Sequence, residues 1–267
     1  MDYSLVLTGG AAAFFLLLIG AIQIGRYIGH RHSGPACESS KAGISAIETS
    51  VFALLGLLIA FTFSGAANRM AERRSLIVQE VNAIGTAWLR IDLINPQYQP
   101  ALRDGFRRYV DARIHYNERI ADLAGRDEIA AQGNQIQQEI WSVAMQAQTH
   151  TPPPLGVSFA AAANDMFDAS TSLIVAQKIH PPVVTYIFLG ILALTCGVFV
   201  GLNLTGPDSR NLFHQVLYGL IMTLALYIIV DFEFPRIGNI RIDQSDSLLL
   251  AMRESMGASQ GAGKSVP

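Results

Sequence analysis

The polar residues of this sequence that have the right types and spacing for chemistry fall into four groups. Asp231, Glu233, Asp243 and Asp246 are carboxylates within one short stretch, a set able to hold a cation. Their spacing is not that of an EF-hand loop. Asp231-Phe232-Glu233-Phe234 also reads as an anchor at a membrane surface, with rings beside charges. Asn164, Asp165, Asp168 and Thr171 cluster at helical spacing. Paired acids can exchange protons, but no nucleophile with a base, no HExxH and no glycine-rich phosphate loop accompanies them. A solvated helix surface accounts for them, so no catalytic residue and no enzyme activity is assigned. His30-x-His32 has no carboxylate partner, and Cys37 and Cys196 suggest neither a disulfide framework nor a thiolate site. No metal and no other cofactor is expected. The fourth group is Asn68 and Glu72, just beyond a long apolar run. In a water-filled vestibule a ring of such carboxylates biases a pore toward cations.

These groups sit in a chain built for lipid. Of its 267 residues 51% are hydrophobic and 15% charged, an imbalance that points to a membrane protein. A formal net charge of -2 gives no nucleic-acid signal. The first apolar run lacks a basic leader and a small-x-small cleavage site, so it reads as a retained span.

The pattern predicts an all-α membrane protein with four transmembrane helices, at about 5–25, 47–67, 183–204 and 212–230. An all-helical insert, 68–182, separates the second span from the third, and 232–267 closes the chain, disordered from about 257. The insert carries acids and bases in near balance, which excludes a polybasic surface. Ser45-Ala46-Ile47-Glu48 reads as a capping box that starts the second span. Helical spacing then persists through Leu76, Val81, Ile84, Trp88 and Ile91 until Asn95-Pro96, so span and insert share one helix. Within the insert, Pro100 opens a helix that Gly125 stops, with Arg107 and Asp111 paired at four-residue spacing. A further helix follows Asp127. Thr151 to Gly156 makes a stiff proline turn, and the next helix starts near Ser158. Asp208 is placed to cap the fourth span, and Ser245 or Asp246 a short final helix, Leu248 to Met256.

The second span has two distinctive faces. Ala53, Gly56, Ala60 and Ser64 form a small-residue face, which in lipid lets helix backbones approach closely. About a hundred degrees round lies a stripe of Leu54, Leu57, Phe61, Gly65, Asn68 and Glu72, passing from bulky apolar through small to acidic. Ordinary helix packing accounts for it. So does a pore wall, with Leu57 and Phe61 as an apolar constriction.

The run Phe61-Thr62-Phe63-Ser64-Gly65-Ala66-Ala67-Asn68-Arg69-Met70-Ala71-Glu72-Arg73-Arg74 resembles the neck-lining stretch of bestrophins. Glu233-Phe234-Pro235, with Asp243 and Asp246, resembles the acidic segment just after their fourth span. The segments Leu54 to Ala67, Asn82 to Ala87 and His180-Pro181-Pro182 are similar to an uncharacterised bacterial bestrophin-like family over nearly the whole chain. The resemblance implies a pentameric ion channel with a neck at Leu57 and Phe61 and Ala53 one step further. Ala53 is small where a bestrophin neck is bulky, and of the calcium-sensing acids only Asp243 and Asp246 remain.

Two functions stay open on these residues: an oligomeric pore, and a non-conducting scaffold or sensor whose insert binds a partner. The expected partners are the lipid bilayer, further copies of the chain as a homo-pentamer, and ions if it conducts. The expected location is the bacterial cytoplasmic (inner) membrane. Arg26, Arg31 and Lys41 in the first connector favour an external insert, whereas Arg69, Arg73, Arg74 and the resemblance favour a cytoplasmic one.

Overall fold

The computed structural model describes residues 3–31, 38–118, 123–204, 210–234 and 243–262. Among them every element is helical: α1 (Tyr3–Arg31), α2 (Glu38–Arg90) with a 3-10 turn at Ile91–Leu93, α3 (Gln99–Glu118), α4 (Leu123–Gln148), α5 (Pro153–Lys178), α6 (Val183–Asn203), α7 (Arg210–Glu233) and α8 (Asp243–Ala262). Four stretches are long and apolar enough to cross a membrane: Leu5–Arg31, Gly43–Leu93, Pro153–Asn203 and Leu212–Glu233. The protein is thus an all-α, multi-pass membrane protein. Asp208, His32 and Cys37 lie outside the described residues.

The chain divides into two compact units. One combines Met1–Met70 with His180–Ile240, and the other Ala71–Ile179 with Arg241–Pro267. The continuous helix expected from span to insert is present: α2 has 53 residues, about 80 Å at 1.5 Å each. It starts earlier than its sequence suggests. Ser45 is already helical and its carbonyl accepts Thr49 Oγ1 at 2.8 Å, while Glu48 Oε2 takes the Asn203 amide at 2.9 Å. The expected capping box is therefore helix interior, because the residues before it, Glu38 to Gly43, contain no proline to stop the helix.

In the first unit α1 packs on α6 and α7 rather than forming a pair with α2. The reason is a glycine seam. A Cβ placed on Gly25 would lie 2.1 Å from the Val198 carbonyl oxygen, and one on Gly201 would lie 2.0 Å from that of Ile22. With Ala21 and Gly197 one turn away, two small-x-x-x-small faces meet, and backbone touches backbone where lipid offers no hydrophobic drive. A polar bond between α1 and α7 runs from Gln23 Nε2 to Gln215 Oε1 at 2.8 Å.

The second unit is a soluble-type core. Ile84, Trp88, Leu102, Phe106, Tyr109, Ile140, Phe159 and Met166 are buried together. Several sequence-based boundaries move here. Gly125 does not stop a helix but lies inside α4, which starts at Leu123, ahead of Asp127. An isolated Gly costs a helix only about 1 kcal/mol relative to Ala, so it need not stop one. α5 starts at Pro153 rather than Ser158, since proline lacks only an N–H that a helix start leaves unused. α8 begins at Asp243, so Ser245 and Asp246 are helical and not caps, and it runs past Gly257 to Ala262. Asp111 does not pair with Arg107 either. It receives Arg253 of α8 at 2.7 and 3.1 Å, and Arg107 donates to the Met256 carbonyl at 3.0 Å. Packing of Leu249 and Met256 in the core brings α8 to those side chains, so tertiary contact wins over the local pair.

Glu80 and Arg113 form an ion pair inside this core, at 0% and 5% side-chain exposure. A second bond, Arg113 Nη2 to Glu80 Oε2, measures 3.2 Å. Burial works against the Arg113 cation, but the Glu80 charge and hydrogen bond outweigh it and hold its pKa above the ordinary value. Burial, with the Glu80 charge adding to it, pushes the Tyr109 phenol up. Removing one partner strands the other charge in the core. Glu80→Gln is therefore expected to destabilise this unit by roughly 3–5 kcal/mol. Both tryptophans, Trp88 and Trp141, belong to it, so denaturant unfolding followed by their fluorescence reads the change directly.

Candidate functional site

The candidate residues on α2 divide by face. Leu55, Ala66 and Met70 are buried, and Val51, Phe52 and Leu58 pack behind them. The opposite side is open within the chain. Leu57 and Phe61 are 53% and 66% exposed. Ala53, Gly56, Ala60, Ser64, Asn68 and Glu72 are exposed as well. A Cβ on Gly56 would meet nothing within 4 Å. Among the described residues, neither the small-residue face nor the Leu57/Phe61 stripe therefore has a helix partner inside one chain. Across its most apolar window the α2 span is 6% buried, against 17% for the first and last spans. That face needs lipid, water or another copy of the protein to cover it.

Gly65 does something else. The Arg69 guanidinium lies over it, 3.2 Å from where a Cβ would stand, and reaches Glu233 at the end of α7. Arg69 Nε to Glu233 Oε1 is 2.8 Å, with a second bond from Nη2 to the same oxygen. His180 Nδ1 stands 3.6 Å from Glu233 Oε2 and the His180 ring stacks on Phe234 at 4.9 Å. Phe63 and Phe232 pack beside them, with centroids 5.6 Å apart. Asp231 and Glu233 are 0% and 1% exposed. This covering bears on two of the four acids, Asp231 and Glu233. They are too deeply covered for a surface anchor, and the cation facing Glu233 is an arginine of its own chain. The side chains of Asp243 and Asp246 lie outside the described residues.

Arg69→Ala should leave Glu233 buried without its guanidinium. The expected cost is on the order of 3 kcal/mol, the low end for a broken buried pair because Arg69 keeps 29% exposure. Thermal unfolding in detergent measures it, and Glu233→Gln in the Arg69→Ala background should recover most of the loss.

Arg73 is buried too. It donates to the carbonyls of Ala176 at 3.1 Å and Ile179 at 3.0 Å, which the end of α5 leaves without helical partners. Both arginines near Glu72 are thus engaged elsewhere, and Glu72 makes no ion pair among the described residues. Asn164 Nδ2 donates to Asp168 Oδ2 at 3.0 Å on the exposed side of α5. His30 is exposed. Among the described residues no cluster of three or more His, Cys, Asp or Glu is placed to hold a metal.

Sequence reasoning missed the glycine seam and the buried ion pairs. Signals existed for both. Gly197-x-x-x-Gly201 and Ala21-x-x-x-Gly25 carry the small-residue spacing. Arg73 and Glu80 fall in register with Met70, Ile77 and Ile84, on the row that α2 buries.

A family model described as a Bestrophin-like domain matches residues 11–247 of this chain. Among solved structures, an isoleucine-to-threonine variant of a bacterial Bestrophin homolog from Klebsiella pneumoniae is similar, at TM-score 0.61 and 14% identity. That match covers 91% of this chain and 97% of the other. A tyrosine-to-alanine variant of the same homolog gives TM-score 0.63 at 14% identity, over 90% and 98% of the two chains. A membrane protein with a serine-to-alanine substitution matches at TM-score 0.63 and 14% identity, over 95% and 96%. Such identities speak to the fold. No curated protein matches the sequence.

Proposed function

The chain belongs to the Bestrophin-like family, and on that premise we propose that it assembles into an oligomeric ion channel whose pore is lined by α2. The observation that carries this reading is the open face of α2. It runs from bulky apolar Leu57 and Phe61 to polar Asn68 and acidic Glu72, and none of the described residues of the same chain covers it. In a ring of copies, Ala53, Leu57 and Phe61 form the neck, and a narrow apolar neck resists wetting and so blocks ions without a plug. Gly56, Ala60 and Ser64 supply the close contact between neighbouring chains. By family resemblance the oligomer is a homo-pentamer in the bacterial inner membrane, with the helical insert in the cytoplasm.

Purified protein in planar bilayers tests the proposal. Reproducible unitary currents are expected, together with an oligomer mass in mild detergent. A clean monomer, or silence at high protein load, overturns it in favour of a non-conducting scaffold. The vestibule part is tested separately. Arg69 and Arg73 are both turned to other partners, which leaves the Glu72 carboxyl open to passing ions. Glu72→Gln should therefore lower the cation-to-anion permeability ratio, read as a shift of reversal potential in a salt gradient. An unchanged reversal potential removes Glu72 from the pore.

A further inference from the structure

α1 carries no charged residue until its last turns, which bring Arg26, Tyr27, His30 and Arg31. The start of α7 lies beside them. Gln23 bonds Gln215, and a Cβ on Gly219 would lie 3.3 Å from Ile19 Cδ1. The two helices therefore run antiparallel, and the first turn of α7 comes level with the last turns of α1. Among the described residues neither Arg26 nor Arg31 has an ion pair. The Arg31 guanidinium lies over the Tyr27 ring, 4.8 Å from its centroid. A ring face holds a cation in place but brings no net negative charge. Arg26 lies about 7.5 Å deeper along the helix and is half-buried, its Nε covered and without a hydrogen-bond partner among the described residues.

The arginines of α2 that adjoin its span are engaged, Arg69 by Glu233 and Arg73 by two carbonyls. At the α1 edge nothing comparable is at hand. Glu48 reaches the end of α6, which packs on α1, but it takes the Asn203 amide at 2.9 Å and no arginine. Two cations at the rim of a span, with no carboxylate on either, call for an anion. The surroundings say which kind. Ile24 and Ile28 on α1 and Leu212 and Phe213 on α7 are exposed around the same turns. A soluble anion gains nothing from them. A phospholipid lays its acyl chains on such a surface and places its phosphate where the apolar helix gives way to charge.

We propose that the last turns of α1 and the first turn of α7 seat an anionic phospholipid, its phosphate taken by Arg26 and Arg31 and its chains lying along Ile24, Ile28, Leu212 and Phe213. Native mass spectrometry of the delipidated full-length protein tests it, with dioleoyl phosphatidylglycerol and dioleoyl phosphatidylcholine as probes. The two share their chains and differ in net charge. Phosphatidylglycerol is expected to bind about 25-fold more tightly, roughly fivefold for each arginine beside the headgroup. Arg31 is exposed, so Arg31→Gln leaves the packing intact and should lower phosphatidylglycerol binding about fivefold, without moving phosphatidylcholine. Arg26→Gln with Arg31→Gln should bring the two lipids level, and Arg31→Lys should keep most of the preference. Arg74→Gln, at an exposed arginine of the other unit, should change nothing. Equal binding of the two lipids by the wild type overturns the seat, and so does a preference that Arg74→Gln lowers as much as Arg31→Gln. Displacement of phosphatidylglycerol by an equal concentration of inorganic phosphate overturns the lipid assignment in favour of a soluble anion. None of these readouts involves conduction, so their failure leaves the pore proposal untouched.

Discussion

Leu57→Ala combined with Phe61→Ala is expected to raise ion flux severalfold or leave the pore constitutively open, while the chain still folds. The two side chains lie one turn apart on the uncovered face of α2, more than half exposed within the chain. Truncating them opens no cavity inside the protomer, so the roughly 2–5 kcal/mol cost of large-to-small changes in a core does not arise. In a ring the same truncations widen two stacked apolar collars and lower the barrier to wetting. Single-channel recording and unfolding of the double variant separate the outcomes. If the oligomer dissociates with no gain in flux, the stripe is a contact between chains, and the pore assignment loses its principal residues.

Gly201→Leu is expected to abolish folding of the first unit, and Gly25→Leu to do the same. At both positions the atom in the way is backbone of the opposing helix, 2.0 Å from a Cβ on Gly201 and 2.1 Å from one on Gly25. A flexible side chain can swing aside, but a helix backbone has to move as a whole. Parting α1 from α6 here also disturbs the neighbouring contacts of Leu18, Leu189 and Ala193. Overpacking of an ordinary core costs about 1–3 kcal/mol, and this seam should lie at or above that range. The measurement is the folded fraction in detergent titrated with SDS. Gly9→Leu on α1 is the matched control, because its Cβ meets nothing within 4 Å among the described residues; equal loss at Gly9 would show that any bulky substitution in a span is damaging and the seam is not special.

How much of the molecule was legible in its sequence differs by level. Composition and apolar runs were enough for four spans and a helical insert, and the unbroken 3.6-residue pattern through Ile91 was enough for one helix joining them. The two faces of α2 could also be drawn, since helical spacing alone decides which residues share a face. Local stops were read less well. Gly125, Pro153 and Ser45 each carry a boundary signal worth at most about a kcal/mol or so, too little to end or start a helix against the helical turns on either side.

Partnership was decided by tertiary structure alone. Arg69 meets Glu233 across 164 residues of chain, and Arg73 meets Ala176 across 103. Helical register puts Arg73 on the row that α2 buries and Arg74 off it, but it does not say which carbonyl or carboxylate an arginine of α2 will meet. The same holds for α1, whose Gly25 fits Gly201 rather than any residue of the helix that follows it in sequence. Periodicity is a property of a few turns of chain, so it can be read from residue types. An ion pair or a glycine crossing depends on which two turns arrive at one place, and only the assembled helices determine that.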